Sequence, residues 1–185
     1  MVKEAKKLRI DKDQSLLLVI DIQQKLFPHM EHKQELAKKA LTLVKGMQAL
    51  TVPMMAARQY PQGLGDTIED LQPYFEEYFD KTTFSCCGEQ PLLAKIKGSD
   101  RNNIIIAGIE AHICVLQTVI DLKAHGLMPV VVADAVGSRR KVDYDMALKR
   151  MEQEGAIITT VEAILFELCY QAGSSAFKTI SQLVK

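Results

Sequence analysis

Three short runs, Leu16-Leu17-Leu18-Val19-Ile20, Ile104-Ile105-Ile106-Ala107 and Val130-Val131-Val132-Ala133, are apolar at every successive position. A strand with one wet face alternates apolar and polar side chains, so a strand apolar throughout must be covered on both faces, as in a parallel sheet flanked by helices. The strand-length runs fall at 16–20, 53–57, 103–107, 128–133 and 156–160, with a weaker, short one at 78–82. Between them lie segments whose apolar residues recur at three and four positions, as in Leu36, Ala40, Leu43, Val44 and Met47. Such spacing predicts helices over 34–49, 89–97, 112–125, 142–154 and 174–184. Gly126 and Gly155 stand just past two of these, where a left-handed C-cap is wanted. The alternation is that of an α/β protein. The expected architecture is a doubly wound, mostly parallel six-stranded sheet with helices on both faces. No linker, repeat or low-complexity tract interrupts the pattern, so residues 1–185 read as a single domain.

Lys plus Arg and Asp plus Glu number 23 each, which leaves no broad positive field for phosphate backbones or anionic lipid. Neither nucleic acid nor membrane is expected as a partner, and no apolar run approaches the ~20 residues of a bilayer span. Residues 1–13 carry cations without the apolar segment of a secretory signal. Glu4, Asp11 and Asp13 set them apart from acid-poor transit peptides, although a basic start leaves organelle targeting open. A cytoplasmic location is the expectation. Four cysteines without a secretory signal read as reduced thiols, and adjacent Cys86 and Cys87 lack the C-x-x-C spacing and nearby His of a zinc site.

In open parallel sheets ligands bind beyond the carboxyl ends of the strands, near the point where strand order reverses. The residues there are Asp21 and Gln23, then 58–60, Lys81, 110–114 and Asp134. Cys114 follows Gly108 and a turn that opens a helix near His112. Unpaired amides and the dipole at a helix start favour a thiolate and can hold an oxyanion. A thiol lowered from about 8.5 to roughly 6 would reflect about 3.4 kcal/mol of such stabilisation. Each residue alone has a plainer reading: Cys114 as a small buried hydrophobe, Asp21 as a loop cap, Lys81 as a solvated cation. Lys81 would have to be drawn inward by Phe79 and Phe84.

Asp21-Ile22-Gln23, Lys81-Thr82-Thr83-Phe84-Ser85 and Gly108-Ile109-Glu110-Ala111-His112-Ile113-Cys114-Val115 occur in the order seen in the isochorismatase-like cysteine hydrolases. The chain resembles that superfamily from about residue 16 to 160. Within it, the stretch 58–65 and the Cys114 motif are most similar to the isochorismatase-domain-containing proteins. The resemblance implies a Rossmann-like sheet, a catalytic triad of Asp21, Lys81 and Cys114, and oxyanion donors at the turn of Ile109, Glu110 and Cys114. It also implies a cis peptide just before that turn, for which Ile109-Glu110 is the candidate. The chemistry implied is hydrolysis of a small amide or related carbon-nitrogen bond through a thioester.

Departures from the superfamily narrow this further. Nicotinamidases carry an Asp-x-His metal motif after the second strand, where this chain has Arg58-Gln59-Tyr60, so neither a metal nor another cofactor is expected. Members that cleave the vinyl ether of isochorismate generally lack the cysteine, which argues against isochorismate. Gln23, Phe27, Tyr60, Phe84 and His112, with Glu110, are candidates for the substrate pocket; Phe27 and Phe84 read somewhat more readily as core, and His112 reads also as a first-turn residue. Gly63-Leu64-Gly65 is read as a loop, since Ile68 stands where a dinucleotide motif needs glycine. Cys86 and Cys87 are read as buried filler, with a regulatory pair as the alternative. Two other functions remain open on the same fold: a non-catalytic binding or scaffold protein, and a redox-sensing thiol protein using Cys114 with Cys86 or Cys87. Relatives commonly associate, so a homo-oligomer acting on a small molecule is expected.

Overall fold

The computed structural model describes residues 9–185; the start of the basic segment weighed as a targeting signal lies outside the described residues. Six parallel strands, β1 (Ser15–Ile20), β2 (Met54–Gln59), β3 (Tyr78–Lys81), β4 (Asn103–Ile109), β5 (Met128–Gly137) and β6 (Ile157–Thr159), form one sheet in the order β3-β2-β1-β4-β5-β6. The chain winds outward from β1 to β3, then returns beside β1 as β4 and winds the other way. The reversal therefore lies between β1 and β4.

The helices are α1 (Lys33–Ala49), α2 (Pro61–Leu64), α3 (Gln90–Gly98), α4 (Leu116–Ala124), α5 (Lys141–Gln153), α6 (Val161–Cys169) and α7 (Ser175–Leu183). Successive strand side chains point to opposite faces, and each face has its own core. Leu17, Val19, Ile105 and Val130 pack with Leu43, Met47, Ile164 and Leu168 of α1 and α6. Leu16, Leu18, Ile104 and Val131 pack with Leu92 and Ile96 of α3, Val119 of α4 and Met151 of α5. Every residue of β1 is buried, which is why its sequence carries no polar alternation.

Several boundaries differ from the sequence pattern, all for a physical reason. Strands β2, β4 and β5 run on to Gln59, Ile109 and Gly137, because polar and small residues at their ends still pair along the sheet. The helix expected over 112–125 starts instead as a π-helical turn, Ala111–Val115, that passes into α4. Helix α6 was not anticipated, although Val161, Ile164, Leu165 and Leu168 recur at helical spacing and the Thr160 side chain accepts from Ala163 N–H. The loop expected at 63–65 contains the end of the short α2. Gly126 and Gly155 do take left-handed conformations, φ 78° and 86°.

Candidate functional site

Asp21 is the first residue past β1, where the chain turns sharply: its φ is 54°, and its carbonyl accepts from Gln23 N–H at 2.7 Å. Across the reversal point, Gly108 of β4 pairs with Ile20. Gly108 has φ +150°, and a Cβ there would lie 2.3 Å from the Ile20 carbonyl oxygen, so only glycine lets β4 approach β1 this closely. The Ile109-Glu110 peptide bond that follows is cis. The Glu110 carbonyl then accepts from both Ile113 and Val115 N–H, at 3.0 and 3.3 Å, forming the turn that carries Cys114. Cys114 is 5% exposed.

Lys81 ends β3, the edge strand, with β2 between it and β1. Its side chain crosses that gap, and its ammonium donates to Asp21 Oδ2 at 2.7 Å, Gln59 Oε1 at 2.6 Å, the Phe84 carbonyl at 3.0 Å and the Thr83 carbonyl at 3.3 Å. The other carboxylate oxygen, Asp21 Oδ1, is buried with no hydrogen-bond partner among the described residues. Burial pushes the Asp21 carboxyl above its usual range, opposed by the Lys81 charge and, more weakly, by the Cys114 thiol. For Lys81, burial favours the neutral amine, but the Asp21 carboxylate and the nearby groups of Cys86 and Cys114 outweigh it and hold the ammonium.

The thiol differs from the sequence expectation. Burial first, and the Asp21 charge second, push Cys114 up to about 12, with Lys81 pulling the other way. A π-helical turn in a closed site does not produce a free thiolate, because desolvation of the anion exceeds the gain from the turn's amides. Cys86 is raised by burial as well, and Cys87 is pushed up to about 11. All four cysteines are unpaired. The Thr118 hydroxyl connects two of them: it donates to the Cys114 carbonyl at 2.7 Å and accepts from Cys86 N–H at 3.0 Å.

The pocket candidates separate into distinct groups. Gln23 is not a pocket-facing side chain: it donates to the carbonyls of Gln59 and Gly65 at 2.9 and 2.8 Å and accepts from Gln59 N–H at 2.8 Å. Glu110 is buried against Arg139, which donates to its Oε2 at 2.9 Å. His112 Nδ1 lies 3.0 Å from Ser138 Oγ. Phe27 is half-buried and packs with Met30, Leu36 and Ile109. Tyr60 and Phe84 are both 54% exposed, so the ring of Phe84 is not what draws Lys81 inward; its carbonyl is. Asp134 joins β5 to its neighbours, accepting from Val161 N–H at 2.8 Å and pairing with Lys39 at 3.1 Å. Arg58 is bound by Asp80 and Asp66 and lies over the ring of Tyr78.

Sequence reasoning missed Gln59 as a partner of Lys81. A glutamine at a strand end carries no chemical signal by itself. Its place between Asp21 and Lys81 follows only from the strand order.

The fold as a whole has counterparts among solved structures, and the isochorismatase domain model matches residues 15–163. The chain belongs to the isochorismatase family. Among relatives of this isochorismatase-family chain, isochorismatase family protein 1A of Dictyostelium discoideum is 38% identical, over 91% of this chain and 85% of its own length. Isochorismatase domain-containing protein 2 of Bos taurus is 36% identical, over 92% and 83%. The solved structure of MAR1 ribonuclease from Caenorhabditis elegans superposes with a TM-score of 0.90 at 39% identity, covering 95% of this chain and 92% of that one. Among the described residues no helix of this family member is long and apolar enough to cross a membrane.

Proposed function

We propose that this isochorismatase-family chain is a metal-independent cysteine hydrolase of a small amide or related carbon-nitrogen bond, with Cys114 as nucleophile. The observation that carries the reading is the state of Asp21: one oxygen is held by Lys81, the other is buried with no hydrogen-bond partner among the described residues, and the Cys114 thiol acts on the same carboxyl. An unsatisfied buried carboxylate oxygen is costly, and a proton acceptor is the role that makes use of it.

In this reading the Cys114 proton passes to Asp21 Oδ1 as sulfur bonds to the substrate carbonyl carbon. Backbone amides of the turn from Ile109 to Cys114 hold the oxyanion. The carbon-nitrogen bond breaks, and the nitrogen leaves with the proton that Asp21 returns. Water then gives a proton to Asp21 and attacks the thioester; the carbon-sulfur bond breaks and the thiol recovers its proton. Because burial holds the free thiol at about 12, proton removal accompanies attack instead of preceding it. Lys81 stays an ammonium and balances charge on Asp21 and sulfur in turn. Tyr60 and Phe84, both exposed beside the Lys81 segment, are the aromatic surfaces offered to a substrate. His112 borders the nucleophile's turn, and Phe27 backs it through Ile109.

The test is a panel of small amides and ureides read by whole-protein mass and peptide mapping. The expected result is an acyl adduct on Cys114, absent in Cys114→Ala. Turnover that survives Cys114→Ala would overturn the reading. Because a solved relative bears a ribonuclease name, single-stranded RNA belongs in the same panel; RNA cleavage with no adduct at Cys114 would replace the amide reading. The four unpaired cysteines suit a reducing compartment, and we place the protein in the cytoplasm. We also assign it a homo-oligomer, for which Val142 and Met146, exposed one turn apart on α5, offer apolar surface. Light scattering that shows a monomer at micromolar concentration would remove that assignment.

A further inference from the structure

We propose that Gln59 is a positioning residue that keeps Lys81 charged and aimed at one oxygen of Asp21. The inference rests on the Asp21, Lys81, Cys114 reading of the site. An ammonium has three protons. Ordered by distance, its acceptors are Gln59 Oε1 at 2.6 Å, Asp21 Oδ2 at 2.7 Å, Phe84 O at 3.0 Å and Thr83 O at 3.3 Å. The three shorter contacts use up the protons, and none is directed at Asp21 Oδ1, which is left without a hydrogen-bond partner among the described residues.

The orientation of the Gln59 amide is not free. Its Nε2 donates to the Thr82 carbonyl at 2.8 Å, so the oxygen must face Lys81; a flip would set the NH2 group against an ammonium. Its backbone is clamped as well, since Gln23 accepts from Gln59 N–H and donates to the Gln59 carbonyl, at 2.8 and 2.9 Å. Gln23 is two residues from Asp21. The bonds therefore close a ring: Asp21 to Lys81, Lys81 to Gln59, Gln59 to Gln23, and back along the chain to Asp21.

The ring matters when Asp21 takes the thiol proton, because a buried ammonium then loses its carboxylate partner. The charged or titratable groups around Lys81 are Asp21, Cys86 and Cys114. With Asp21 neutral and Cys86 a thiol, the Cys114 sulfur and the dipoles of Gln59, Phe84 and Thr83 hold the cation. Gln59 is the one side-chain amide among them, so replacing it removes an acceptor without removing a charge.

The experiment follows the side chain of Lys81 by NMR in protein carrying 13C-labelled lysine, with Lys81→Arg to assign the signal. The wild type should stay charged to the top of the accessible pH range. In Gln59→Met, the Lys81 titration should fall by at least about one pH unit, into the accessible range, and alkylation of Cys114 by iodoacetamide measured above that titration should slow about tenfold relative to wild type at the same pH. Gln59→Glu keeps an oxygen toward Lys81, so there the ammonium should persist. An unchanged Lys81 titration in folded Gln59→Met would overturn the proposal. If Gln59→Met does not fold, a lowered titration in Gln59→Glu overturns it, because the acceptor is still present. Both readouts are made without substrate. Failure to find an acyl adduct in the wild type would therefore remove the hydrolase and leave this result standing, and an unchanged Lys81 would do the reverse.

Discussion

Lys81 Nζ and Asp21 Oδ2 lie 2.7 Å apart, and neither side chain reaches solvent. Breaking such a pair by removing one partner leaves an uncompensated buried charge, which costs about 3–5 kcal/mol, whereas removing both charges together is often neutral or better. Lys81→Met should accordingly be strongly destabilised in denaturant unfolding. The double variant Asp21→Asn with Lys81→Met should recover most of that loss, asparagine being tolerated at the positive φ of Asp21. Neither should turn over substrate. A double variant no more stable than Lys81→Met would mean that the pair contributes net stability to the fold.

Asp21→Asn alone should lower turnover by at least about a hundredfold, the scale for losing a proton carrier. Full activity in a folded Asp21→Asn protein would take Asp21 out of the chemistry.

The raised Asp21 carboxyl has a sign that can be checked. Folded protein holds this proton more tightly than the unfolded chain. Its contribution to stability is therefore complete below the ordinary value of 3.8 and is lost as pH rises through the folded value. The stability of wild type relative to Asp21→Asn should fall as pH rises through that window. The acid limb of kcat/KM should lie above 3.8, since catalysis needs the ionised form. A limb at or below 3.8 would contradict the burial argument.

Thiol reactivity should follow the same electrostatics. With Cys114 at about 12 and Cys87 at about 11, brief iodoacetamide treatment near pH 8 should label Cys87 ahead of Cys114. The rate at Cys114 should still be rising above pH 9. Selective labelling of Cys114 at pH 6.5 would show instead that the turn amides and Lys81 override burial.

Strong chelators should leave turnover unchanged. Two carboxylates beside β2, Asp66 and Asp80, are both taken by the Arg58 guanidinium, which also repels a cation from that corner. Zinc that copurifies and is lost together with activity would refute this.

Part of the molecule was legible in the sequence because burial leaves a direct trace. Strands such as β1 and β4 are covered on both faces and read as unbroken apolar runs, and the two left-handed glycines marked helix ends. Helix α6 left a weaker trace, since Ala163 and Phe166 fill in the polar side of its pattern and blur the period. For the site, the strand-end rule located Asp21, Lys81 and the Cys114 turn, but not their chemistry. The burial of Lys81 depends on acceptors from β1, β2 and its own loop, which no local pattern reports. The reversed shift of the thiol has the same origin: the helix start was visible, and the enclosure around it was not.

Thr118 brings a mechanical consequence. One hydroxyl fastens the Cys114 carbonyl to the backbone of Cys86, so the loop after β3 and the first turns of α4 share a single rivet on opposite sides of the sheet's reversal point. With Cys114 as the proposed nucleophile, a substrate that levers the β3 loop outward, through Phe84 for instance, would pull through this hydroxyl on the turn that carries the sulfur. Access to the sulfur and aim of the sulfur are thereby geared to one another.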